Sequence, residues 1–137
     1  MFRALDVSTS GIVAQRHRMD TIAGNIANIS TTRDEKGNVS PFQRRFIAFM
    51  ADQDRRGDEA RGVGVKFSVQ IDRSTPPRKV VQPGHPDADA NGIVSYPGID
   101  LTKEFVNALE ASRAYEANVA TIDITKGMYS QALKILA

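Results

Sequence analysis

The two histidines are the first place to look for a reaction centre, because imidazole titrates near neutrality and readily binds metals. His85 stands in Pro83-Gly84-His85-Pro86-Asp87, where an aspartate two residues on could orient a base or share a metal. No other histidine lies near it and the chain has no cysteine, so no further nitrogen or sulfur ligand is at hand. The flanking prolines point to a rigid turn, and His85 reads as structural. His17, among Gln15, Arg16 and Arg18, falls on the polar side of a helical pattern and reads as a solvated surface residue. Gly62-Val63-Gly64 opens a strand-like run, whereas glycines that cradle phosphate lead into a helix. Asn28-Ile29-Ser30 and Asn38-Val39-Ser40 match a glycosylation acceptor, a three-residue pattern short enough to arise by chance. Nothing in this set makes an enzyme, and no cofactor or metal is expected.

The longest regular pattern favours association instead. Alternating steps of four and three from Leu101 reach Phe105, Ala108, Ser112, Tyr115, Val119, Ile122, Lys126, Tyr129, Leu133 and Leu136, with Leu109 beside the row. Only Ser112 and Lys126 break its apolar character, so the spacing predicts a long helix with a coiled-coil seam. At 1.5 Å per residue such a helix reaches roughly 55 Å, more than the ~30–35 Å width of a compact chain of this length. The seam therefore calls for a partner. Residues 2–29 predict a first helix. Leu5, Ile12, Met19 and Ile26 recur every seven residues, and Phe2, Ile22, Ala23 and Ile29 widen the stripe. Gly11 and Gly24 lie inside it at about 1 kcal/mol each relative to alanine, a cost that points to a weak helix or to close approach by another backbone. Asn25 and Asn28 suit either the chemistry of a helix end or hydrogen bonds to a neighbouring subunit. In Ala111-Ser112-Arg113-Ala114-Tyr115-Glu116-Ala117-Asn118, small residues let helices approach, Tyr115 fills the seam, and Arg113 and Glu116 flank it.

Between the helices the pattern turns to period two. Residues 42–51 and 62–72 read as strands. In the second, Val63, Val65, Phe67, Val69 and Ile71 alternate with small or polar residues, predicting one buried and one wet face. The stretch 52–61 is densely charged and reads as a solvated loop. Pro76-Pro77 ends the second strand, and short strands are expected at 79–82 and 93–96, giving a small sheet of four strands. Asp100 stands where an N-cap belongs. The fold class is thus α+β: terminal helices (1–32 and 99–137) paired as an antiparallel coiled coil, with a small β-rich insertion at 33–98. The 137-residue chain carries a net charge of only +2, which leaves no nucleic-acid footprint. No apolar run is long enough to span a membrane, and the first residues do not read as a cleaved leader.

These residues carry a family likeness. Leu5-Asp6-Val7-Ser8-Thr9-Ser10-Gly11, then Ala14-Gln15-Arg16, Met19-Asp20 and Asn25-Ile26-Ala27-Asn28, resemble the N-terminal signature of the flagellar axial proteins of rod and hook. The run Glu110 to Asn118 resembles their C-terminal signature. Pro83-Gly84-His85-Pro86-Asp87-Ala88, leading to Gly92 and Tyr96-Pro97, is similar to the proximal-rod members. Gly24 departs from the pattern, since relatives commonly have asparagine there. The resemblance implies a structural subunit of the proximal rod of the bacterial flagellar basal body, in a torque-transmitting shaft and export channel. Its terminal helices would pack with other copies and with other proximal and distal rod proteins. An adaptor to the export gate and MS ring would adjoin it, and export without a cleaved leader would run through the flagellar type III apparatus. Two rivals stand beside it: an enzyme using His85 and Asp87, and a soluble helical adaptor, with another rod or hook protein as the near alternative. Two helices with so small a sheet are expected to order fully only on assembly.

Overall fold

The computed structural model describes residues 2–52 and 64–136. Helix α1 spans Phe2–Ala27 and helix α2 spans Leu101–Leu136; strands β1 (Arg45–Ala51), β2 (Val65–Ile71), β3 (Arg78–Val81) and β4 (Ile93–Tyr96) lie between them. The architecture is the expected α+β one, terminal helices paired and a small β region inserted. Apart from Asp52, the charged stretch 52–61 falls outside the described residues, as do Gly62 and Val63.

Local chemistry sets the helix ends. At the end of α1, Asn28 turns its side-chain amide back to the Gly24 carbonyl (2.8 Å) while its oxygen accepts from the Thr31 hydroxyl (3.1 Å). The amide adds to the bond that the Gly24 carbonyl receives from the Asn28 N–H (3.2 Å), and the Thr31 hydroxyl orients the Asn28 side chain. At the start of α2, Asp100 caps as expected, its Oδ1 accepting from the backbone N–H groups of Thr102 (2.9 Å) and Lys103 (3.3 Å).

The four strands do not make one sheet. They form two separate ladders, β1 with β2 and β3 with β4. In the second, antiparallel ladder Arg78 faces Tyr96 and Val81 faces Ile93. The expected alternation also holds for only part of β2: Val65 and Phe67 are half-buried, but Val69 and Ile71 are 56% and 46% exposed. A period-two pattern buries a face only where another layer covers it, and two-stranded ribbons offer little cover.

The chain divides into two compact units. One comprises Met1–Met19, Ile47–Ser68 and Ala108–Ala137; the other comprises Asp20–Phe46 and Val69–Asn107. In the first, the buried apolar side chains are Ala14 and Ala111, small enough for helices to approach closely. In the second, among the described residues, they are Ile22, Val94, Pro97 and Ile99, joined by the buried polar residues Asn25, Thr32, Asp87 and Glu104. Buried polar groups in that proportion must be hydrogen-bonded to be tolerated.

Candidate functional site

In the first unit the helices meet through small residues. A Cβ on Gly11 would stand 3.2 Å from the Asn118 side chain, so the glycine admits α2. Asn118 is held by a bond from its amide to the Ala114 carbonyl (2.9 Å). Arg18 donates to Glu110 Oε2 at 3.2 Å on the exposed rim, a contact of small worth. Ser10 donates to the Val7 carbonyl (2.7 Å) and accepts from the Val65 N–H (3.0 Å), tying the start of β2 to α1. The exposed His17 stacks on Phe67 with ring centroids 4.3 Å apart.

In the second unit the helices meet through a buried polar node. Glu104, in the first turn of α2, is fully buried. Its Oε1 accepts from Arg44 Nε and Nη2, both at 2.8 Å, and its Oε2 from Asn25 Nδ2 at 3.0 Å. The Asn25 amide also closes a pair of bonds with the Arg45 backbone, donating to its carbonyl (2.8 Å) and accepting from its N–H (2.9 Å). Asn25 thus behaves as a short piece of strand edge placed on a helix. Within the first unit numbers rise along α1 as they fall along α2 (Gly11 with Asn118, Arg18 with Glu110), so the helices pair antiparallel there.

A second buried carboxylate fastens the loop after α1. Asp87 Oδ2 accepts from the Thr32 hydroxyl (2.6 Å), and Oδ1 accepts from Arg33 Nε (2.7 Å) and pairs with Arg33 Nη2. Hydrogen bonds from Arg33, then from Thr32, hold the Asp87 carboxyl below the ordinary range, with smaller help from the charge on Arg33 and the proximity of His85. His85 turns Nδ1 to the Asp87 backbone N–H (3.1 Å) and sets its ring edge against Tyr96. Its ring serves the turn, as the flanking prolines led one to expect. Among the described residues no group of three or more His, Cys, Asp or Glu side chains is placed to hold a metal ion.

The expected seam residues divide by exposure. On α1, Ile22 and Asn25 are buried, and Leu5, Ile12, Met19 and Ile26 are half-buried, as is Asn28 just past its end. On α2, Ala108, Ser112, Tyr115, Asn118, Ile122 and Tyr129 are half-buried. Leu101 (41%), Phe105 (58%), Leu109 (55%), Val119 (36%) and Leu133 (64%) stand exposed, with Val106, Ile124, Met128 and Ile135. The inward row of α2 alternates Ala108, Tyr115, Ile122 and Tyr129 with Glu104, Ala111, Asn118 and Thr125. The second set sits one residue before the expected Phe105, Ser112, Val119 and Lys126. Small and polar side chains therefore share the intrachain contact with Tyr115, Ile122 and Tyr129, while many of the other large apolar ones are left outside. A seven-residue line of such residues was present in the sequence at Glu104, Ala111 and Asn118, and another at Gly11, Arg18 and Asn25. Arg44 and Arg33, the cations that complete the buried pairs, lie in irregular segments without a periodic signal.

Residues 5–33 match the family model described as Flagella basal body rod protein, and residues 90–135 match Flagellar basal body rod FlgEFG protein C-terminal. The chain is 36% identical to the flagellar basal-body rod protein FlgC of Bacillus subtilis, over 98% of this chain and 97% of the relative. It is 37% identical to that of Borreliella burgdorferi, covering 99% and 97%, and 33% identical to that of Salmonella typhimurium, covering 98% and 97%. The chain belongs to the FlgC family of flagellar basal-body rod proteins. Membership makes it a structural subunit of the basal body rather than an enzyme. The family-model matches fall on α1 with its exit loop and on β4 with α2, the segments that carry Asn25, Thr32, Arg33 and Glu104. Among the described residues no helix is long and apolar enough to cross a membrane.

Proposed function

We propose that this FlgC-family subunit belongs to the proximal rod and builds it through the outward face of α2. The observation that carries this reading is the row of large apolar side chains left exposed on that helix, from Leu101 and Phe105 to Leu133 and Ile135, which is 84% exposed. A soluble chain gains nothing from that arrangement, whereas burial against a neighbour would stabilise it by about 25 cal/mol per Å² of apolar surface. The neighbours in this reading are other copies, the other proximal and distal rod proteins, and an adaptor to the export gate and MS ring. Delivery runs through the flagellar type III apparatus to the part of the rod that crosses the periplasm. Close-packed helices suit a shaft that transmits torque, because such interiors resist compression.

The test is Phe105→Asp. The purified variant is expected to melt like the wild type, since the side chain is already exposed. Basal bodies from cells carrying it are expected to lack the rod, and the cells to be non-motile. Intact rods built from the Phe105→Asp chain would overturn the reading.

A further inference from the structure

The helix pairing around Asn25 and Glu104 encloses a charge that neither helix neutralises. Glu104 brings a full negative charge to a site with no solvent exposure, and Asn25, 1% exposed, brings only a neutral amide. The nearest charged residue on α2, Lys103, is exposed, and α1 carries no cation between Asp20 and Ala27. Two partial compensations exist: the peptide dipoles of the first turn of α2 favour an anion, and Asn25 donates one bond. The compensating charge comes from Arg44, the residue before β1, with both of its bonds to Oε1 at 2.8 Å. Behind Arg44 lies Asp72, just past β2, its Oδ2 3.9 Å from Nη1, and Asp100 caps the helix on the exposed side.

We infer that Glu104 is a positioning residue that makes closure of α1 onto α2 in this unit conditional on docking of the inserted β region. With Arg44 in place the carboxylate is paired and Asn25 is free to grip Arg45. With Arg44 withdrawn, closing the helices would bury a bare carboxylate, which is strongly disfavoured. The helix pair then stays open, or closes only with Glu104 protonated and neutral. The same three side chains join α1, the approach to β1 and α2, so the paired helices are presented only by a chain whose insertion has folded. This inference concerns the chain alone and does not rest on the rod reading.

Arg44→Met removes the cation and keeps much of its length. In the full-length chain, amide exchange of 20–27 and 101–107 is expected to lose about a hundredfold of its protection at about pH 7. Acidification to about pH 5 should restore much of it, because an unpaired buried carboxyl takes up a proton well above the ordinary glutamate value near 4.3. A raised folded value in the variant means its stability falls as pH climbs through that window. Adding Glu104→Gln to Arg44→Met should restore protection at about pH 7 and abolish the pH dependence. Full protection in Arg44→Met at neutral pH would overturn the inference. So would a loss that neither acid nor Glu104→Gln repairs, including a double variant that fails to fold, since Arg44 would then act by packing alone.

Discussion

The first turn of α2 and its last third follow opposite rules. Around Glu104 the buried polar groups are answered from within the chain, by Arg44, Asn25 and the Arg45 backbone. Between Val119 and Ile135 most of the large apolar side chains are exposed, with Ile124 65%, Met128 66% and Ile135 84% exposed, while the half-buried positions are Ile122, Thr125, Tyr129 and Ala132. At the first site polar groups fix one geometry, because a misplaced partner leaves a buried charge bare. At the second, apolar area stays uncovered in the single chain and is available for association. On the proposed reading, stability and assembly depend on different residues, and mutation should separate them.

The largest expected effect lies on the closed side. Gly98, between β4 and α2, is approached by the Thr75 methyl, 2.8 Å from where a Cβ would stand, and still more closely by the Pro76 carbonyl oxygen. Backbone cannot swing aside as a side-chain tip can, so Gly98→Ala should destabilise by about 2 kcal/mol, read from urea unfolding. An unchanged midpoint would show that this packing is looser than the geometry implies.

Next comes the Asp87 clasp, through its pH dependence. Bonds from Arg33 and Thr32 hold the folded carboxyl below its unfolded value. Its contribution is therefore present above about pH 4, where an unfolded aspartate is ionised, and is lost as pH falls through the folded value. Asp87→Asn should melt below the wild type at neutral pH, and the two curves should converge in acid. A gap that stays constant from about pH 7 to about pH 3 would assign the clasp to shape rather than charge.

These closed-side features were the least legible in the sequence. Periodicity points to α1, α2 and β2, and Asp100 marks its own cap, because those signals are local. The pairs Arg33–Asp87 and Arg44–Glu104 join distant segments and leave no local pattern. Hydrophobic periodicity follows large side chains, so it runs through Phe105, Ser112, Val119 and Lys126, one residue after the Glu104, Ala111, Asn118 and Thr125 that turn inward beside Tyr115, Ile122 and Tyr129. Val69 and Ile71 were read as buried because alternation was taken to imply a covering layer along all of β2.

Gly24 bears on both sides of the contrast. A Cβ there meets nothing within 4 Å, unlike Gly11, which abuts Asn118. The described residues give no steric reason for a glycine at this position. Gly24→Ala should raise stability by up to about 1 kcal/mol, read as a higher melting temperature. Motility that falls while the melting temperature rises would place the reason for the glycine in a neighbour's close approach. Unchanged motility would leave the glycine without an assembly role.

The smallest effect on the fold should come with one of the largest on assembly. Met128 lies in the exposed part of α2, 66% exposed, so its substitution by aspartate disturbs little of the fold. Substitutions at such positions usually shift stability by no more than about 0.5 kcal/mol, so thermal melts of Met128→Asp and wild type should nearly superimpose. A charge in an apolar contact between subunits is a different matter, because the carboxylate would have to be desolvated without a partner. Subunit incorporation, followed by the amount of this chain in purified basal bodies, should therefore collapse while the melting curve stays put. If both stay put, the exposed methionine belongs to no interface and the contrast between the two ends of α2 describes a surface without a use. If the melting curve drops as well, the last third of α2 is holding the single chain together, and stability and assembly are not separable there.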